Sequence, residues 1–224
     1  MTDDVAIVSV LHNAAAVFHA RIVEDLFEKG WSVQPDYLGI GLAAALKTRM
    51  AELEEAAALT PAGIGREDDN RIAKDIRRDS TFWLDPANHT DRAYTGLMED
   101  LRLTLNRHLF LGLFEYEAHY ALYPAGGFYK KHIDALKGGK NRIVSTVCYL
   151  NEDWREKDGG MLTLFDREDH SRVVNVVLPE EGSIAVFLSE DIPHEVTPAN
   201  RTRRSIAGWF RCNSSSAEKV DPLI

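Results

Sequence analysis

His132 and Asp134 stand two residues apart, His132 within and Asp134 just past a segment, 128–133, that reads as a strand and contains Tyr129. In an extended strand, residues two apart project to the same face, so an imidazole and a carboxylate at this spacing can reach one ion from a strand end. A second imidazole comes from His194, which follows the apolar stretch 183–188 across a turn containing Pro193 and precedes another strand. Two neutral imidazoles and one carboxylate on one face of an octahedral ion leave three positions open, which is the arrangement that non-haem Fe(II) uses for oxygen chemistry. The spacing of His132 and Asp134 is weak evidence taken alone, because the chain holds eight histidines and 35 acidic residues. A second instance, His89-Thr90-Asp91, follows Pro86 and Asn88 and leads into a helical pattern, so helix capping accounts for it.

Such ligands need a scaffold that brings distant strand ends together. From residue 114 onward the chain reads as seven or eight short strands, at 114–122, 128–133, 143–150, 161–165, 173–177, 183–188 and 203–211, separated by Gly, Pro and Asp turns. That pattern predicts a sandwich or jelly roll. The preceding part is helical. Val17, Ile22, Leu26 and Phe27 fall on one side of a first helix that Gly30 terminates, and 31–33 reads as a short strand. Asp36 is placed as the N-cap of a second helix over 37–57, with Leu42, Leu46, Met50 and Leu53 at helical spacing. Thr90 or Asp91 caps a third helix through Tyr94, Leu97, Met98, Leu101 and Leu105. Between them, 60–85 contains Pro61, Gly63 and Gly65 followed by Arg71, Lys74, Arg77 and Arg78, and reads as a long exposed connection. The expectation is an α+β protein of one domain over 1–224: helical support over 1–113 packed on one face of a β core over 114–212, then a tail over 213–224.

Composition narrows the partners. A chain of 224 residues with 45% hydrophobic content supports one sizeable core. A formal charge of -9 argues against tracking nucleic acid or an anionic membrane and favours a protein or small-molecule substrate. No apolar run approaches the roughly 20 residues needed to span a bilayer, and no export signal is visible, so a cytoplasmic location is expected. Cys148 and Cys212 are expected as reduced, buried thiols.

Several ordered stretches between residues 114 and 212 carry a resemblance: Tyr123-Pro124; Tyr129-Lys130-Lys131-His132-Ile133-Asp134; Cys148-Tyr149-Leu150-Asn151 with Asp153-Trp154; Gly159-Gly160; and His194-Glu195-Val196 through Arg203-Arg204-Ser205-Ile206 to Trp209-Phe210. Together they resemble the 2-oxoglutarate oxygenase superfamily, in its prolyl-hydroxylase-like branch. The resemblance implies a double-stranded β-helix (a jelly roll, cupin-like) core, Fe(II) held by His132, Asp134 and His194, and consumption of 2-oxoglutarate and O2 with ascorbate as reductant. It also implies that Arg203, helped by Ser205, pairs with the distal carboxylate of 2-oxoglutarate, a role that suits the planar fork of a guanidinium. Strand parity puts Arg203, Ser205 and Ala207 on one face and Arg204 and Ile206 on the other. The Arg-x-Ser pattern favours Arg203, although a one-residue bulge would transfer the role to Arg204.

By the same resemblance Tyr149 and Tyr123 are expected near the co-substrate, and Tyr129, Arg142 and Trp209 near the target. The implied reaction yields succinate, CO2 and an alcohol, and the presence of Asp134 favours hydroxylation over halogenation. The implied target is a prolyl residue in a loop of a cytoplasmic protein, the translation machinery being one source, with no nucleic-acid or membrane partner. The segments 60–85 and 135–141 are expected to close over or flank such a peptide. Two other readings stay open: oxidation of a free amino acid or other small molecule on the same fold, and a non-catalytic β-sandwich that binds partners through its loops. Nothing in the sequence fixes an oligomeric state.

Overall fold

A computed structural model describes residues 2–63, 75–134 and 141–213, with side chains from residue 15 onward. Helix α1 (Thr2–Lys29) stops at Gly30, whose φ of 81° a side chain would resist and whose N–H bonds to the Leu26 carbonyl at 3.1 Å. Its buried stripe runs through His19, Ile22 and Leu26. Val17 and Phe27, expected on that face, are exposed, because Phe27 lies about 100° round the helix from Leu26.

Strand β1 (Trp31–Gln34) follows, then helix α2 (Gly39–Glu55), which buries Ala43, Leu46, Met50 and Leu53. Asp36 does not cap α2. It takes a left-handed φ of 55° and its carbonyl accepts from the Gly39 N–H, so the helix begins one turn later with no side-chain cap. Helix α3 (His89–Leu109) is capped by Asn88, whose Oδ1 accepts from the N–H groups of Thr90 and Asp91 at 2.9 and 3.2 Å. Thr90 and Asp91 therefore sit inside the first turn instead of capping it. The buried Asp91 carboxylate accepts from the Tyr120 hydroxyl and the Asp85 N–H.

The expected connection at 60–85 holds two strands, β2 (Thr60–Pro61) and β3 (Ser80–Trp83). Then come β4 (Leu113–Tyr123), β5 (Tyr129–His132), β6 (Arg142–Tyr149), β7 (Leu162–Phe165), β8 (Val173–Val177), β9 (Ile184–Leu188), β10 (His194–Val196) and β11 (Arg203–Cys212). They form two antiparallel sheets, ordered β1-β9-β6-β11-β4-β3-β2 and β5-β10-β7-β8. Each strand of the large sheet divides its side chains by parity. Tyr120, Cys148, Val186, Ile206 and Phe210 pack against Leu46, Met50, Tyr94, Met98, Leu101 and Leu105 of the helices. Ala121, Tyr123, Tyr149, Ala185 and Phe187 face the other way, onto Leu162, Leu164, Ile192 and Val196. This is the jelly-roll core with helices on one face that the sequence predicts.

β11 keeps unbroken register with β4 from Arg203 to Arg211, so no bulge disturbs the parity of its arginines. Neither cysteine forms a disulfide; Cys148 is buried as expected, but Cys212 at the strand end is half-exposed. Among the described residues no helix is long and apolar enough to cross a membrane. Residues 64–74 of the segment expected to cover a peptide, residues 135–140 of the second such segment and the tail beyond 213 lie outside the described residues.

Candidate active site

Strands β5 and β10 are neighbours in the small sheet, and their register sets His132 directly opposite His194. Asp134 follows two residues after His132, just past the end of β5. Its two carboxylate oxygens lie 3.5 Å from His132 Nε2 and 3.6 Å from His194 Nε2, and one ligand atom from each residue falls within 4.8 Å of the others. The local backbone fixes both tautomers. His132 Nδ1 donates to the Lys130 carbonyl at 2.8 Å and His194 Nδ1 to the Ile192 carbonyl at 3.1 Å, which leaves both Nε2 lone pairs turned to the common point. Asp134 Oδ2 accepts from the Ser145 hydroxyl at 2.7 Å and from Trp209 Nε1 at 2.8 Å, so the carboxylate is held from behind.

Burial opposes the Asp134 charge, but the imidazoles of His194 and His132 and the Ser145 hydroxyl outweigh it and hold the carboxyl well below its usual range. Burial, reinforced by the neighbouring His132, pushes the His194 imidazole down to about 4, so it is neutral and able to ligate at physiological pH. One nitrogen from each histidine and one carboxylate would fit a divalent ion such as Fe(II) at their common point.

On the large sheet, Arg203 is 1% exposed, with Nε donating to the Gly160 carbonyl at 2.8 Å and Nη1 to the Ser205 hydroxyl at 3.1 Å. Gly160, at a φ of 62°, makes this approach possible, since a Cβ there would stand 3.0 Å from Arg203 Cδ. No carboxylate among the described residues pairs with Arg203, although a buried arginine is ordinarily matched by one. The rings of Tyr123 and Tyr149 flank its guanidinium at 5.0 and 5.2 Å. The buried Tyr149 hydroxyl meets no acceptor among the described residues, and burial, opposed by the neighbouring Arg203 guanidinium, raises its pKa above the usual phenol range, so it remains a donor. An unmatched cation beside an unanswered hydroxyl calls for an anionic acceptor, and a carboxylate of 2-oxoglutarate fits it. Arg204 points to the opposite face, where Glu54 of α2 engages it through two bonds of 2.5 and 2.9 Å. Arg201 lies over Trp154 and pairs with Asp158 at 3.2 Å.

A cavity of about 430 Å³ joins these groups, lined by His132, Asp134, His194, Arg203, Ser205, Tyr123, Tyr129, Arg142 and Trp209 among others. A second cavity of about 490 Å³, between α1 and α3, contains none of them. The Tyr129 ring stacks on His132 at 3.6 Å and 18°. Arg142 is paired with Glu117 at 2.6 Å and lies 3.7 Å over the Trp209 ring. The sequence reading missed Ser145, Glu117, His119 and the buried pair Arg77–Asp79. Ser145 could have been found, since it shares parity with Tyr149 on β6. Arg77 and Asp79 lay in a stretch of charges that read as solvated.

Comparison with known proteins places this arrangement in context. The sequence profile of the 2OG-Fe(II) oxygenase superfamily matches residues 118–211. Human "Egl nine homolog 1" is 29% identical over 199 residues, covering 84% of this chain and 45% of that protein, so the chain spans under half the length of this curated relative. The crystal structure of a Pseudomonas putida prolyl-4-hydroxylase is 38% identical and covers 88% of this chain and 100% of its own, with a TM-score of 0.77. A Trichoplax adhaerens prolyl hydroxylase, solved with a hypoxia inducible factor oxygen degradation domain peptide fragment, shares the fold at a TM-score of 0.79 and 24% identity, covering 89% of this chain and 91% of that one.

Proposed function

We propose, from the premise that this chain belongs to the 2OG-Fe(II) oxygenase superfamily as a prolyl-hydroxylase-like dioxygenase using Fe(II), 2-oxoglutarate and O2, that its substrate is a prolyl residue within a protein or peptide. The observation that carries this reading is the distribution of charge in the cavity. A free amino acid brings a carboxylate and an ammonium, and each must be matched when it leaves water. Of the arginines among the described residues that line the cavity, Arg77 is already matched by Asp79 and Arg142 by Glu117. Arg203 is left, and one cation cannot serve both a co-substrate carboxylate and a substrate carboxylate. An internal prolyl residue is neutral and asks only for shape and hydrogen bonds. The Pseudomonas putida and Trichoplax adhaerens proteins named as prolyl hydroxylases support the same target.

In this reading His132, Asp134 and His194 hold the iron, while Arg203 with Ser205, Tyr149 and Tyr123 holds the distal carboxylate of 2-oxoglutarate. When bound, the iron and co-substrate supply the oxidising power that places one oxygen atom on a C–H bond, with succinate and CO2 released. The chain's own contribution is positional. Ser145 and Trp209 hold Asp134 in one rotamer, and the backbone carbonyls of Lys130 and Ile192 keep both histidines in the ligating tautomer. Val147, Leu162, Phe187 and Val196 form the apolar wall that keeps water from the reacting centre. Tyr129, Arg142 and Trp209 stand where the prolyl ring enters. We place the target in a loop of a cytoplasmic protein, the translation machinery being one source, with ascorbate as reductant.

Succinate formation under air with Fe(II) tests this, using proline-containing peptides, the same peptides with proline replaced by alanine, and free proline. Stimulation by the prolyl peptides alone, with a peptide product heavier by one oxygen and loss in His132→Ala, is expected. Stimulation by free proline alone would replace this reading with the small-molecule one, and failure to bind iron would leave a non-catalytic binding module.

A further inference from the structure

His194 is enclosed: its strand pairs on both sides, with β5 and β7, and its ring packs on Phe187 at 4.5 Å. His132 is less secure. It closes the edge strand of the small sheet, its side chain is 19% exposed against 7% for His194, and it needs a support that its own strand does not give. That support is a stack of three groups. The Tyr129 ring lies nearly parallel on the His132 imidazole at 3.6 Å, and the Arg77 guanidinium lies over the same Tyr129 ring, 4.4 Å from its centre. Arg77 is itself clamped. Its Nε and Nη2 donate to the two oxygens of Asp79 at 2.7 and 2.6 Å, and the Asp79 side chain is fully buried. The backbone is tied at the same level, since Arg77 bridges Tyr129, the Arg78 N–H bonds to the Phe128 carbonyl and the Lys130 N–H bonds to the Ile76 carbonyl.

We propose that Arg77 and Asp79 are positioning residues for His132, acting through the ring of Tyr129 to hold the exposed metal ligand in place. The proposal rests on the metal reading given above. Neither residue touches the ion. A bidentate arginine–carboxylate pair has one geometry, and a cation over an aromatic face adds attraction without adding freedom. The ring so fixed restricts the imidazole from one side, while the Lys130 carbonyl fixes its tautomer. Outer groups of this kind act on the affinity of a metal site more than on its fold.

Mn(II) affinity, read from the free-ion EPR signal, is the test. Arg77→Met combined with Asp79→Asn removes the pair without stranding a buried charge. The expected result is Mn(II) binding weakened about tenfold or more, with the thermal midpoint within a few degrees of wild type. Tyr129→Leu is expected to weaken binding comparably and Tyr129→Phe, which keeps the ring, to preserve it. Because all act along one line, adding Tyr129→Leu to the double variant should cost nothing further. Wild-type affinity in the folded double variant would overturn the proposal. If that variant fails to fold, equal affinities for Tyr129→Leu and Tyr129→Phe would overturn it instead. A wild-type protein that takes up no Mn(II), or does so equally well in His132→Ala, would overturn the metal reading and this proposal with it, and so separates the two failures.

Discussion

Arg203 and Arg204 are adjacent and chemically identical, yet parity on β11 sends one into the cavity and the other to Glu54 on the helical side. Their substitution should therefore separate cleanly. Arg203→Gln removes the only unmatched cation lining the described part of the cavity, and 2-oxoglutarate binding to the Mn(II)-loaded protein should weaken by well over tenfold in calorimetric titration. Arg204→Gln should leave that binding unchanged and lower stability by no more than about 1 kcal/mol, the range for a partly exposed ion pair. Tyr149→Phe gives a smaller, specific effect. Its hydroxyl is a buried donor without an acceptor among the described residues, and a hydrogen bond to a charged acceptor contributes about 1.5–3 kcal/mol. The same titration should show about 10- to 100-fold weaker 2-oxoglutarate binding, with Mn(II) affinity unaffected; equal co-substrate affinity would remove Tyr149 from the site.

Elements decide which of these residues can meet. His132 and His194 lie far apart in sequence and become neighbours because β10 pairs with β5. The chain declares most of the strands through short β-branched and aromatic segments between Gly, Pro and Asp turns from residue 114 onward, whereas the short His194–Val196 strand is not among those it marks. What such segments could not reveal is equally specific. β3 hides among charges because Arg77 and Asp79 neutralise each other, and a buried ion pair looks in sequence like two solvated residues. The caps were misplaced because Asp36 adopts a left-handed turn and Asn88 reaches two residues forward, choices that depend on tertiary packing as much as on residue type. The pairing partners of the strands were not legible either, since parity gives faces and not neighbours. The layering predicts independence between the two faces of the large sheet. Leu101 on α3 is fully buried against the helical side, so Leu101→Ala should cost about 2–5 kcal/mol in urea unfolding. Below its unfolding midpoint this variant should bind 2-oxoglutarate as the wild type does, and a large loss of affinity would show that the sheet transmits disorder from the helices to the cavity.

At the scale of the whole molecule, the interior between the two sheets acts as a low-dielectric medium in which imidazoles stay neutral. This serves a site that needs neutral nitrogen ligands, and it ties stability to pH through a histidine that ligates nothing. His119 on β4 is buried between Trp83 and Trp209, with ring centres 5.2 and 5.4 Å away. Burial, reinforced by the Arg77 cation, pushes its pKa down to about 4, whereas in the unfolded chain it returns to about 6.5. Between these values the unfolded chain holds a proton that the folded chain refuses. The stability due to a neutral His119 is therefore full above about pH 6.5, falls as pH drops through that window, and is lost by about pH 4, at a slope approaching 1.4 kcal/mol per pH unit. His194 titrates in the same sense in metal-free protein, but it is common to wild type and to a His119 variant, so their difference isolates His119. Urea unfolding of metal-free wild type and His119→Gln at pH 7, 6 and 5 should give two lines that converge toward low pH, the wild type losing about one proton's worth more stability per pH unit in the middle of the window. Parallel lines would mean that His119 takes up its proton as readily in the folded state as in the unfolded one, and that the interior is more polar than its enclosure by two indole rings implies.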